Sequence, residues 1–269
     1  MSPPGPARAE ASPAVEVEAQ DAATVALLRD RQRPRRVEVL LLRRPGAATF
    51  AAGAEVFPGG GVEPADRDPE WQELVRAPEA RPDLVAFKVA AIRECFEETG
   101  VLLARMIEPR PPSTRGTAAP PGLRRRLLRD GPGSFRSGLL RAGLRPAFED
   151  LVFCAHWVTP LGVPRRFDAR FFLAKLPPGG GVRPHRGEVP AWRWAEPGAA
   201  LVEASSGERQ ILPPTRSVLA EIVLGGSTGA ALEQACRSRV RRVLPRLHEI
   251  NSTRYPGLDL AGIARAHGA

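Results

Sequence analysis

Apolar residues crowd positions 23–28 and again 37–42, which reads as two strands around an arginine- and proline-containing turn. A shorter run at 55–57 leads directly into Gly59-Gly60-Gly61. The period then changes. From Ala86 onward, Phe87, Val89, Ala90, Ile92, Cys95 and Phe96 supply the apolar sides of a helix, and Glu94, Glu97 and Glu98 fall on the opposing face. Gly100 supplies the stop, because glycine tolerates the left-handed conformation that ends helices. Val101-Leu102-Leu103 resumes an extended or buried path. Strand patterns return at 151–158, 167–174 and 191–194, followed by a helix at 214–224 with Pro214 at its start and Gly225 after it. A further helix is expected over 230–244. Residues 1–20 carry no apolar period and are expected to form a disordered arm. Residues 108–122 read as a linker, and 123–144 as two short basic helices broken at Gly131-Pro132-Gly133.

The helix from Ala86 holds the informative chemistry. Glu94, Glu97 and Glu98 are spaced i, i+3 and i+4, so three carboxylates share one face within a single turn. Adjacent like charges repel, and a hard divalent cation such as Mg²⁺ relieves that penalty through oxygen ligation. Arg93, four residues before Glu97, can hold the acidic face in place. A paired glutamate on a helix is usually only a solvated face, so the weight rests on the whole run Arg-Glu-Cys-Phe-Glu-Glu-Thr-Gly-Val at 93–101 and on the glycines upstream.

Together these residues resemble the Nudix hydrolase signature G-x5-E-x7-R-E-U-x-E-E-x-G-U, where U is a bulky apolar residue. With Gly60 as the first glycine, Asp66 fills the first acidic position with a shorter acid. Twenty-six residues instead of seven then separate Asp66 from Arg93, an insertion over about 67–85 that leaves the placement of Asp66 open. A long insertion costs little loop entropy when its ends stay close, so the site can survive it. The insert's own residues suggest a short helix and a proline-rich return loop.

The resemblance implies an α/β fold, an α/β/α sandwich with a mixed sheet over residues 21–212, with a basic helical insert at about 108–147 and a C-terminal helical extension from 213 to 269. It implies metal-dependent hydrolysis of a nucleoside diphosphate-linked substrate by water attack at phosphorus. Mg²⁺ (or Mn²⁺) would be held by Glu94, Glu97, Glu98 and the Gly59 carbonyl, with Arg93 bracing a glutamate. Glu188, in a loop before a late strand, resembles a further family acid that acts as ligand or base. Arg166, Asp168 and Arg170 flank a strand, with Asp168 and Arg170 on one face; they either line the substrate cleft or form a cross-strand pair.

The split box, with the segments 21–24 and 166–172, resembles the coenzyme A diphosphatases of the peroxisomal type and their bacterial relatives. Coenzyme A or acyl-CoA is therefore the expected substrate. ADP-ribose, NADH or a dinucleotide is the same-class alternative, and a silent nucleotide-sensing module the alternative of another class. The stretch before the glycines, 50–54, lacks the polar and basic motif of the other coenzyme A branch, and the final His-Gly-Ala is no peroxisomal address.

Composition changes this picture little. The net charge of +9 suits an anionic small molecule, but lysine occurs only at 88 and 175 and the arginines are scattered. Nucleic acid is not expected as a partner. Three widely spaced cysteines form no disulfide framework, and no apolar run reaches the ~18 residues of a membrane span. A signal-peptide pattern is missing from the N-terminal residues, so a cytoplasmic address is expected. A homodimer is left open.

Overall fold

The computed structural model describes residues 17–32, 35–47, 51–76, 81–108, 133–184 and 189–246. Most of the expected arm, the linker, the first basic helix and the chain beyond 246 lie outside them.

Ten strands and five helices follow one another along the described chain. Strands β1 (Gln20–Gln32) and β2 (Arg35–Arg43) form the antiparallel pair expected from their apolar runs. Both faces of β1 are covered: Ala23, Val25 and Leu27 enter one apolar cluster, Ala26 and Leu28 the other. Two-sided burial explains why its sequence reads as a continuous apolar run without polar alternation. Next come β3 (Glu55–Val56) and β4 (Gly59–Gly61). The glycine run is itself a strand, antiparallel to β1 through Gly59, Gly60 and Gly61 opposite Thr24, Ala23 and Ala22.

Helix α1 (Val85–Thr99) starts one residue before its expected position and ends at Gly100, which has φ 74° and donates its N–H to the Phe96 carbonyl at 2.9 Å. The short pair β5 (Ala104–Met106) and β6 (Leu144–Pro146) flanks helix α2 (Gly133–Arg141). Strands β7 (Val152–Val158), β8 (Phe167–Lys175) and β9 (Ala191–Ala195) stand where their patterns place them. The main sheet runs β10-β7-β8-β1-β2-β3, with β4 also on β1 and β9 also on β2. Its β1–β8 and β10–β7 pairs are parallel and the others antiparallel, so the sheet is mixed.

Helix α1 covers one face through Val89, Ile92 and Phe96. The opposite face is covered by α3 (Pro197–Ser205), α4 (Pro213–Gly225) and α5 (Thr228–Arg237). Val218, Leu219 and Ile222 of α4 share a cluster with Leu28, Val39, Leu41 and Phe171, so residues 213–237 complete the second helical layer. The result is an α/β/α sandwich.

Two local expectations change. The helix expected over 230–244 stops at Arg237, and β10 (Arg242–Val243) instead joins the edge of β7 at His156 and Trp157. Arg237, Arg239, Arg241 and Arg242 would crowd one another on a helix, and the β-branched Val240 and Val243 suit an edge strand better. Helix α3 was not foreseen; its Gly- and Ala-rich sequence has little apolar period, and Pro197 opens its first turn.

The insert is compact at both ends. Short 3-10 turns occur at Pro64–Arg67, Pro69–Leu74 and Pro82–Leu84. Trp71 anchors them: it is buried, donates Nε1–H to the Ala65 carbonyl at 2.9 Å, and lies 6.3 Å from the Phe135 ring of α2. Trp71→Ala should destabilise the fold by ~3–5 kcal/mol in urea unfolding. A loss under ~1 kcal/mol would show that the insert is not part of the core.

Candidate active site

The apolar side of α1 locks the helix to the sheet and turns the opposite side toward β4. A Cβ at Gly60 would displace the flexible end of Glu94, and one at Gly59 would meet the Ala23 carbonyl and the Thr24 Cα of β1. The three acids divide between the glycine strand and Arg93. Glu98 Oε2 accepts the Gly59 N–H at 3.0 Å, Glu94 Oε1 accepts Arg93 Nη1 at 2.8 Å, and Glu97 Oε2 lies 3.4 Å from the same nitrogen. The helical turn and the glycine strand expected to act together are thus in direct contact.

Arg93 ties the site together. Its Nε and Nη2 donate to the two oxygens of Asp66 at 3.0 and 2.7 Å, and Nη2 also donates to the Gly61 carbonyl at 3.0 Å. Both partners of the Arg93–Asp66 pair are only 2% exposed. The insert therefore returns Asp66 to the helix, settling the placement left open by its length. Asp66 also accepts the Glu63 N–H at 2.9 Å, which closes the 3-10 turn carrying it. A shorter acid suffices here because that turn brings its backbone close.

Burial works against the charge on Arg93 more than any other influence, yet bonding to Asp66 and the charges of Glu94, Asp66 and Glu97 outweigh it, so its pKa rises. Glu94 is also raised: burial acts first, Arg93 opposes it, and the negative charges of Asp66 and Glu63 add to the shift. Cys95, between the acids in sequence, faces the core, and burial pushes its thiol up to about 12. It is a packing residue, as the sequence suggested.

Hard oxygen donors from one helical turn, beside a half-buried glycine strand, fit a divalent cation in chemistry. Burial outweighs the pull of Arg93 on Glu94, and a nearby cation would favour its charged form. Among the described residues, no three Asp, Glu, His or Cys side chains already converge as a metal cage. Holding an ion therefore requires the carboxylates to leave some of their present partners.

Arg166, Asp168 and Arg170 lie at or on β8. Arg166 is buried and donates to the carbonyls of Thr159 at 3.1 Å and Val17 at 2.6 Å, pinning the chain ahead of β1. Asp168 and Arg170 face the α1 side and pair at 2.5 Å; Asp168 also meets His156 at 2.5 Å. Arg170 stacks 4.0 Å from the Phe87 ring centroid and bonds Asp21 at 3.2 Å. Burial lowers the pKa of His156, against the pull of Asp168. Glu188 lies outside the described residues.

On the other face of β4, a cleft of about 430 Å³ opens between the sheet and the start of α4. Its walls include Thr24, Phe57, Gly59, Gly60, Trp157 and Phe167. Nothing in the sequence pattern marked this cleft, because its residues come from segments far apart in the chain.

Comparison with known proteins identifies the family to which this fold belongs. The model described as the NUDT19 Nudix domain matches residues 76–221, over half of the chain, and the NUDIX domain model matches residues 19–127. The chain belongs to the Nudix family, in the group represented by the NUDT19 Nudix domain. It is 33% identical over 216 residues to acyl-coenzyme A diphosphatase NUDT19 of Homo sapiens, with 65% of this chain and 58% of that protein covered. The protein of the same name from Gallus gallus is 31% identical over 223 residues, covering 66% of this chain and 58% of that one. The chain thus spans less than two thirds of the length of these relatives. The crystal structure of a NUDIX hydrolase from Alicyclobacillus acidocaldarius superposes with a TM-score of 0.68 at 30% identity, covering 80% of this chain and 96% of the other.

Two measurements check this geometry. Asp66→Ala strands a buried guanidinium and should destabilise the fold by ~3–5 kcal/mol; wild-type stability would contradict the pairing. The folded chain holds the Glu94 proton more tightly than the unfolded chain, so stability falls as pH rises from the ordinary value of 4.5 through the raised one. In the absence of added metal, Glu94→Gln should therefore melt higher than the parent near pH 7 and together with it near pH 3. A lower melting point for the variant at neutral pH would contradict this.

Proposed function

We propose that the chain hydrolyses the diphosphate linkage of coenzyme A or acyl-CoA, giving 3′,5′-ADP and the corresponding phosphopantetheine. The observation that carries this reading is the acidic turn of α1 packed on the glycine strand and braced by the buried Arg93–Asp66 pair. The names of the relatives and the split Nudix box support the substrate class.

In this reading Glu94, Glu97, Glu98 and the Gly59 carbonyl hold Mg²⁺ or Mn²⁺, and Glu188 is a further acid of the site. The ion supplies Lewis-acid neutralisation of the phosphates and a lowered pKa for bound water. The chain's own residues do the positioning. Arg93 fixes the turn, so that its carboxylates keep their direction as they exchange partners. Gly60, without a side chain, lets the phosphates approach the acids. Water adds to phosphorus as the bridging P–O bond breaks; a carboxylate takes the proton and the leaving phosphate keeps the bond's electron pair. No described helix is long and apolar enough to cross a membrane. The cysteines are free, and we place the enzyme in the cytoplasm.

Incubation with Mg²⁺ and separate samples of CoA, octanoyl-CoA, ADP-ribose, NADH and diadenosine tetraphosphate tests the reading. CoA or its ester should turn over with the highest kcat/KM. Preference for ADP-ribose or NADH would replace the substrate, and binding without turnover would indicate a sensor. Glu97→Gln and Glu98→Gln should each lower kcat by about 10²–10⁴, the range expected when a group that acts at the reacting atoms is lost. Both should keep the parent's unfolding midpoint within about 2 °C, as substitutions at half-exposed polar positions do. Near-parental turnover in both would remove these acids from the mechanism.

A further inference from the structure

The cleft behind β4 is walled mainly by carbon. Phe57, Trp157, Phe167, Ala169 and Leu212 form its sides, and among the described residues Arg44 is the only charged one in its wall. Among its polar walls, the Thr159 hydroxyl is already engaged, accepting the Phe167 N–H at 3.0 Å. The cleft lies across the sheet from the acids, yet only the thickness of a glycine strand separates them. Gly59 and Gly60 line the cleft, while the Gly59 N–H binds Glu98 and the Gly60 Cα faces the Glu94 carboxylate. Among the described residues β4 pairs with β1 alone, so its second edge carries no strand. A ligand can straddle that edge, with its phosphates on the acid side and one substituent in the cleft.

We infer that this cleft takes the acylated end of the substrate's pantetheine arm, and that it makes acyl-chain length a determinant of specificity. The inference rests on the proposed diphosphate site. The two ends of such a substrate differ in chemistry. The 3′,5′-ADP end brings two phosphate groups and a hydrogen-bonding base, which a wall with a single guanidinium would leave poorly matched. An acyl chain asks only for burial, and the cleft's volume lies within the usual range for small-molecule sites, roughly 300–1,000 Å³. The aromatic rings of Trp157 and Phe167 give the chain broad apolar surfaces to lie against.

Affinity measured by calorimetry without added metal tests this independently of turnover. Each methylene buried in the cleft tightens binding by up to about fourfold, so octanoyl-CoA should bind at least about tenfold tighter than butyryl-CoA. Two variants fill the cleft from different places: Val163→Trp from the loop before β8 and Ala169→Leu from β8 itself. Should the strand variant fail to fold, the loop variant still decides. Either should erase the chain-length gradient, so that octanoyl-CoA loses far more affinity than 3′,5′-ADP. A flat series in the parent overturns the inference. Equal weakening of octanoyl-CoA and 3′,5′-ADP in the variants also overturns it, by putting the nucleotide end in the cleft. If the substrate panel shows no CoA hydrolysis but the affinity gradient is present and the variants erase it, the reaction assignment fails and the cleft assignment stands.

Discussion

A single guanidinium organises the site. Arg93 is buried and charged, a state tolerable only because its donors are satisfied by Asp66, the Gly61 carbonyl, Glu94 and Glu97. Those partners belong to three separate pieces of chain: the turn after the glycines, the strand β4 and the helix α1. Satisfying one cation therefore fixes the positions of all three. The same cation partly neutralises a turn of carboxylates that would otherwise repel one another. Burial of Glu94 outweighs the pull of Arg93, so its carboxyl holds its proton above the ordinary range.

The second constraint is steric. A strand without side chains lets a helix bearing long acids sit directly on it, and leaves its opposite face as the floor of an apolar cleft. Polar chemistry and apolar recognition are thereby separated by one backbone, each in the environment that suits it. Charged groups elsewhere on the α1 side, such as Asp168 and Arg170, are matched against one another and against His156 and Asp21.

Much of this was legible in the sequence because it is local. The spacing of Glu94, Glu97 and Glu98 fixes a shared helical face wherever the helix packs, and Gly100 marks its end. The apolar runs of β1, β2, β7 and β8 are long enough to identify strands without knowledge of their partners. Contacts made through the insert were not legible. Asp66 stands 27 positions from Arg93, and only the packing of Trp71 against α2 shows how the intervening chain returns. Nor could the sequence show that 59–61 pairs as a strand, since glycine carries no strand pattern. The end of α5 was misplaced for the complementary reason: the free edge of β7, a tertiary feature, captures Arg242 and Val243.

The central claim is that this acidic turn binds divalent cations beside the glycine strand. Anomalous diffraction from crystals soaked in Mn²⁺ tests it most directly. The account predicts a peak within about 2.0–2.3 Å of oxygens from at least two of Glu94, Glu97 and Glu98, close to the Gly59 carbonyl. Strong peaks located elsewhere, with those carboxylates still on Arg93 and the Gly59 N–H, would contradict it.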